Sequence, residues 1–562
     1  MSPAARRALG GLAGAAAMIA AVTVLSRVLG FGRWLLQASE VGPGPIGDAY
    51  NWANIMPNVL FEVAAGGALA GALIPLLAGP IARGDAREVE RTASGALGWT
   101  LLVLGPLAAL LAAVSGPFAH ALASTPEQAR VVQYFVVVFA VQVPTYGVAV
   151  LLYAVLQAHK RFFWPAFAPV LSSVVVMATY LVYGALSHGE RAHPDGLGAG
   201  ALEVLAWGTT AGVAAMCLPM LVPVHRLGVR LRPTLRFPPG VARRLRTLAL
   251  AGVGSVAAQQ LTMLVVMAAS SWRTFADDGT FTRFLYTQQV YLLPYAVLVV
   301  PLATSTFPRL AARAASHDVA GFARMAAATT RGVLVAAGAG AAVVVAAASA
   351  VGTVFAVIAH DAPLARQMGL TLTWMMPGLA GFAVLFHGSR ALYALERGRS
   401  AVLANVLGWG VMACAVVVLV RARVPGDAAV VAIGAASSLG MVTGGAAVLV
   451  LLRRAAGRGS LTGLARTAAV LVSGGSAGAL AGRWVADAAQ DVAGPGVWSA
   501  IGAGAGGAVV ALVVVALAVA TLDRQTVLAV LRVEREPVPH APTDDEVSRL
   551  TPGSDRGRPD VG

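Results

Sequence analysis

Residues 24–36 read VLSRVLGFGRWLL and residues 48–62 read DAYNWANIMPNVLFE. Both lie in apolar surroundings, yet each carries charge or amide groups where a simple membrane anchor has none. Arg27 and Arg33 stand in the first. Asp48, Asn51, Asn54, Asn58 and Glu62 stand in the second. Charge inside a membrane span is costly and usually marks a pathway or a site. The rest of the chain reads as the frame around this stretch.

The 562 residues are 57% hydrophobic and 12% charged, with mean hydropathy +0.74. These values lie outside the range of soluble globular domains and define an all-α polytopic membrane protein. The net charge of +15 does not indicate nucleic acid, because the basic residues sit in short clusters between apolar runs. Cys217 and Cys414 fit neither a metal spacing nor a disulfide framework. The apolar run 13–25 flows directly into the Arg27 segment, so it reads as a retained helix and not a cleaved leader.

With about 20 apolar residues per crossing, the chain divides into fourteen transmembrane helices. They fall near 11–36, 47–78, 93–115, 129–157, 163–186, 199–225, 245–272, 281–312, 331–358, 367–395, 400–420, 427–452, 464–486 and 497–521. A cytoplasmic N-terminus puts 31 basic residues in inside segments and 8 in outside ones. That asymmetry also places the C-terminus inside.

The segment around Leu152-Tyr153-Ala154 recurs around Leu392-Tyr393-Ala394, and Pro57 and Pro75 recur as Pro294 and Pro308. The expected organisation is therefore an N-terminal six-helix lobe over 1–225 and a basic cytoplasmic linker over 226–244. A second six-helix lobe covers 245–455, and two further helices cover 456–521. A disordered cytoplasmic tail covers 522–562. Repeats of this parallel kind place a substrate between lobes that rock around a central cavity.

On a straight helix Arg27 and Arg33 lie about 120° apart with about 9 Å of rise between them. Gly30 and Gly32 would let the helix bend so that both face one cavity, as fixed cations for an anionic group. The alternatives are snorkelling or a structural pairing with Asp48 or Glu62. In the second segment, Asp48, Asn51, Asn54, Asn58 and Glu62 fall within about a 120° arc of the helical wheel. Such a stripe must face protein or water. Pro57, Gly67 and Pro75 are expected hinge positions beside it. Gln259 and Gln289 offer neutral contacts from the second half, with interhelical hydrogen bonding as the equal alternative. Gly474, Gly478 and Gly482, with Gly502 and Gly506, have the spacing for close packing of the last two helices.

Enzyme signatures, cofactor motifs and metal-ligand clusters are missing from the sequence. His188, His360 and Asp361 are expected in short outer loops, without partners.

The run Ser26-Arg27-Val28-Leu29-Gly30-Phe31-x-Arg33, then Asp48-Ala49-Tyr50, Pro57-Asn58 and Gly67-Ala68-Leu69, resembles the opening of the MurJ (MviN) family. Gln157, His159-Lys160-Arg161-Phe162 and Pro165-Ala166-Phe167-Ala168-Pro169 resemble that family's loop between spans 4 and 5. The resemblance implies a flippase of the lipid-linked peptidoglycan precursor lipid II, in the inner membrane. It implies alternating access, no cofactor and no enzymatic step. The lipid-linked glycan, membrane lipid and cell-wall synthesis proteins would be its partners. It marks Arg27, Arg33 and Asp48 as cavity residues. Three positions depart from the pattern: Trp34 where an acid is common, Phe61-Glu62 where a basic pair is common, and Gln289 where many members carry arginine. Two alternatives remain open at this point: an exporter of another undecaprenyl-linked polysaccharide, and a non-transporting scaffold for cell-wall synthesis.

Overall fold

The computed structural model describes residues 3–63, 67–190, 193–238, 241–272, 275–422, 426–494 and 496–535. Among these residues the structure is helical and has no strand. The first half comprises α1 (Pro3–Glu40), α2 (Pro45–Phe61), α3 (Gly67–Ala82), α4 (Ala86–Ala113), α5 (Ser115–Leu122), α6 (Pro126–Ala140), α7 (Gln142–Ala158), α8 (Phe163–Ser187), α9 (Ala201–Cys217) and α10 (Leu221–Arg226). A non-helical strap, 227–238, follows. The second half comprises α11 (Val241–Ala269), α12 (Thr280–Pro294), α13 (Val300–Ala315), α14 (Val319–Ala346), α15 (Ala348–Ala359), α16 (Ala362–Met375), α17 (Pro377–Ala394), α18 (Gly398–Arg421) and α19 (Ala429–Ala456). Then come α20 (Leu464–Ala493), α21 (Val497–Leu522) and α22 (Arg524–Arg535).

Among the described residues, ten helical stretches are long and apolar enough to cross a bilayer, and eleven if α16 and α17, bent by 47°, form one span. The expected spans 11–36, 47–78 and 245–272 fall on α1, on α2 with α3, and on α11. Of these, 47–78 includes residues 64–66, which lie outside the described set. The helix that carries the start of the expected span 331–358 begins earlier, at Val319. Arg324 and Arg331 read as loop residues in sequence but lie within α14, which starts at Val319 and is capped by Asp318 through the Gly321 N–H at 2.8 Å. A helix that projects past the membrane carries its own arginines, and charge alone does not mark its end.

Two bundles follow from the packing. In the first half α8 lies on α9 and α1, α4 on α7, and α2 on α6. In the second, α18 lies on α19 and α11, and α17 on α19 and α14. The proline pattern that suggested a repeat has a structural counterpart. The second span turns to π geometry at Glu62–Val63, five residues beyond Pro57. The matching span turns into π geometry over Tyr295–Val299, immediately after Pro294. A proline removes one backbone donor, and the neighbouring turn widens to accommodate the loss.

The last two spans pack against each other and dock on α14 of the second half. Gly482 and Gly507 set that approach: a Cβ on Gly482 would fall 2.3 Å from the Gly507 carbonyl oxygen. Gly474 and Gly478 face α21 as their spacing predicts, at Ala518 and at Ala511. On α21, however, Gly502 and Gly506 meet nothing within 4 Å. The contact runs through Gly507, one residue beyond the repeat read from sequence.

Candidate functional site

A polar cavity of about 190 Å³ lies within the first bundle, and its lining residues run from Arg33 to Val213. Arg33 and Gln37 of α1 line it one turn apart. Asn51, Asn54 and Asn58 of α2 form the facing wall, as the helical wheel predicts. Tyr146 of α7, Tyr180 of α8 and Thr209 of α9 close the remainder. The halves do not share this cavity, whereas sequence reasoning placed the site between them.

Arg33 is the one charged side chain among the lining residues, and no carboxylate among the described residues lies within ion-pair distance of it. A guanidinium held among amides and phenols offers a planar fork to an anion. The donors around it are ordered. The Thr209 hydroxyl donates to the Leu205 carbonyl at 2.7 Å, so it accepts from the Tyr50 hydroxyl at 3.0 Å. Tyr50 in turn accepts from the Tyr180 hydroxyl at 3.0 Å. The Tyr50 ring packs edge-on against Phe135 and Phe139, which fixes its position.

α1 runs unbroken through Gly30 and Gly32. Arg27 therefore stays on another face of the helix, exposed and outside the cavity. Glu62, Gln259 and Gln289 are also outside it, Gln259 being exposed. Gly67 opens α3, while Pro57 and Pro75 sit inside α2 and α3.

Asp48 has a different environment from the one expected. It is buried, and both of its oxygens are engaged by the start of α12. Oδ2 accepts from the Gly279 N–H at 2.8 Å. Oδ1 accepts from the Thr282 N–H at 2.9 Å and the Thr282 hydroxyl at 2.7 Å. Asp48 thus caps a helix in the other half of the chain. Gly279 has no side chain to do so, and its φ of 85° suits glycine. Asp48 therefore neither lines the cavity nor pairs with Arg33, as the sequence allowed: backbone amides at a helix N-terminus have taken the carboxylate. Thr282 also accepts from Asn51 Nδ2 at 3.1 Å, and Asn51 Oδ1 accepts from Gln37 Nε2 at 3.1 Å. A continuous hydrogen-bonded chain therefore links the cavity to the contact between halves. Trp34 against Tyr286 and Phe31 against Phe355, with centroids 6.1 and 6.3 Å apart, seal the same junction with aromatic surface.

A second, apolar cavity of about 660 Å³ lies where α20 meets α14, α17 and α19, walled by Leu334, Val345, Ala380, Val442 and Leu471. Gln37, Tyr146, Tyr180 and Thr209 were missed in sequence. Gln37 was recoverable from its spacing of four from Arg33. The others are single polar residues in apolar helices, and nothing local separates them from ordinary interhelical contacts.

Together these features define a polytopic helical membrane protein with a polar cavity in its first bundle. Solved structures of similar fold include one described as "Lipid II flippase MurJ, inward closed conformation", with a TM-score of 0.66 and 16% identity, over 90% of this chain and 99% of that one. Another is an inward-facing MATE family transporter of the MOP superfamily, with a TM-score of 0.62 and 13% identity, over 82% of this chain and 99% of that one. The chain belongs to the family described as "Lipid II flippase MurJ", whose pattern matches residues 37–492. A probable lipid II flippase MurJ of Rhizobium meliloti (strain 1021) is 29% identical over 307 residues, 52% of this chain and 54% of that protein. A lipid II flippase MurJ of Burkholderia cenocepacia is 26% identical over 309 residues, 52% of this chain and 55% of that protein. The matched stretches thus span about half the length of these curated relatives.

Proposed function

We propose that the protein moves lipid II from the inner to the outer leaflet of the cytoplasmic membrane by alternating access, with both termini cytoplasmic. The observation that carries this reading is Arg33, an unpaired guanidinium facing three asparagines inside a membrane-embedded bundle. Arg33 grips the pyrophosphate or a peptide carboxylate, and Asn51, Asn54 and Asn58 hold sugar hydroxyls and amides. Arg27, on the neighbouring face, meets the headgroup on its way in or out. Gln259 and Gln289, outside the cavity in this conformation, meet the headgroup from the second lobe only once the lobes rock, and Glu62 sets the polarity at the break of the second span. Pro57, Gly67 and Pro75 absorb the bending as the lobes rock. The undecaprenyl tail stays in lipid, along the apolar cavity beside α20.

In this orientation the Asp48–Thr282 junction lies at the outer face, so the structure supports a conformation closed to the outside. The cell interior is negative, so moving an anion outward is favourable by about 2.3 kcal/mol per charge per 100 mV. No nucleotide is needed for that part of the drive.

Complementation tests the assignment. In cells depleted of their own lipid II flippase, the chain is expected to restore growth and export of lipid II. Failure to restore export, with the protein correctly inserted, overturns the assignment and leaves a different lipid-linked glycan or a scaffold role.

A further inference from the structure

A third cavity, of about 420 Å³, lies outside the site described above, between the start of α4 and the strap joining the two halves. Arg87, Glu90, Arg91 and Ser94 line it from one face of α4, at spacings of three and four. Arg232 lines it from the strap.

The strap is held in place by specific contacts. The Thr234 N–H donates to the Ser94 carbonyl at 3.3 Å, the Arg232 N–H to Ser94 Oγ at 3.1 Å, and Trp99 Nε1 to the Leu235 carbonyl at 3.1 Å. A Cβ on Gly98 would fall 2.1 Å from the Thr234 carbonyl oxygen, so glycine is what admits the strap backbone there. Val229, Leu231 and Phe237 point into the core beneath. Alternation along the extended strap then turns Arg232 outward, beside Arg87 and Arg91.

The local acids do not neutralise this cluster. Arg83 occupies Glu88 at 2.6 Å, and Asp85 caps α4 through the Glu88 N–H at 2.9 Å. Glu90 is the single carboxylate in the cavity. None of the three arginines has an ion pair among the described residues. Three guanidiniums gathered around one carboxylate leave a net positive hollow that calls for an anion with several acceptor oxygens.

Its depth indicates the source. From Arg91 to Trp99 is about 12 Å of helix, and beyond it Leu101, Leu102 and Val103 are exposed apolar residues on a membrane-length helix. Trp99 is 43% exposed at that boundary, where tryptophan concentrates. The cavity therefore sits at headgroup level, with apolar helix surface beside it for acyl chains.

We propose that this cavity binds the phosphate of an anionic glycerophospholipid and so fastens the strap between the halves to α4. The assignment is independent of the lipid II reading. The full chain is purified in phosphatidylcholine nanodiscs and titrated with phosphatidylglycerol, and retained lipid is counted by native mass spectrometry. Wild type is expected to retain phosphatidylglycerol over phosphatidylcholine. Arg87→Gln/Arg91→Gln/Arg232→Gln is expected to lose at least about tenfold in apparent affinity, with its unfolding temperature in pure phosphatidylcholine unchanged. Arg232→Lys and Arg236→Gln, the latter outside the cavity, are expected to retain the lipid. If the triple variant does not fold, the single variants Arg87→Gln and Arg91→Gln carry the same expectation in smaller measure. Undiminished retention by the arginine-to-glutamine variants, or equal loss in Arg236→Gln, overturns the proposal. Displacement of phosphatidylglycerol by millimolar inorganic phosphate overturns the lipid as the source.

Discussion

Asp48 and Thr282 are 234 positions apart in sequence, yet one carboxylate oxygen accepts both the backbone N–H and the hydroxyl of Thr282, at 2.9 and 2.7 Å. A second span begins by capping the eighth. Hydrogen bonds to a charged group contribute about 1.5–3 kcal/mol each, and an orphaned buried partner costs more. This contact is therefore a main hold between the halves at one face of the molecule.

Asp48→Asn presents an amide donor to N–H groups that need an acceptor. A loss of about 3 kcal/mol would shift a two-state equilibrium by roughly 100-fold toward separation of that face. The check is labelling of Asn54→Cys by a membrane-impermeant maleimide from outside, in a chain with Cys217 and Cys414 replaced by alanine. The labelling rate should rise in Asp48→Asn. An unchanged rate in a folded protein would remove the junction from the gating account.

Tyr50→Phe removes the centre of the Tyr180–Tyr50–Thr209 chain and leaves the Tyr180 hydroxyl facing a ring. The expected loss is about 1–3 kcal/mol, read as a lower unfolding temperature. Phe keeps the edge contacts with Phe135 and Phe139, so a much larger fall would mean that the cavity wall itself had collapsed.

Gly482→Val forces α20 away from α21 at the Gly507 carbonyl and should destabilise the protein by about 1–3 kcal/mol. Gly506→Ala should be silent or slightly stabilising, since nothing lies within 4 Å of that position. Equal effects of the two substitutions would contradict the packing register described for the last two spans.

Period and composition made the membrane class and most span positions legible. The 3.6-residue wheel also brought Asn51, Asn54 and Asn58 onto one wall, because a polar stripe in an apolar helix has few places to go. The same wheel put Asp48 on that wall, where it does not belong. Its oxygens are taken by α12, and a contact across 231 or more positions leaves no local trace. Arg27 misled for a related reason. Gly30 and Gly32 permit a bend, but permission is not a cause: with nothing crowding Gly30, the helix stays continuous and keeps the two arginines on different faces. Tyr146, Tyr180 and Thr209 reach the cavity only through the packing of α7, α8 and α9.

The central claim is that Arg33 is the cation that holds the headgroup. The direct measurement is lipid II translocation in proteoliposomes carrying an inside-negative potential across the membrane in the cellular sense. Arg33→Ala is expected to lower the rate by at least about 100-fold, as loss of a charge-assisted bidentate contact in a desolvated site implies. Arg33→Lys should recover part of it, and Arg27→Ala should lose less than Arg33→Ala. Translocation by Arg33→Ala at the wild-type rate, with the protein folded and inserted, would contradict the account.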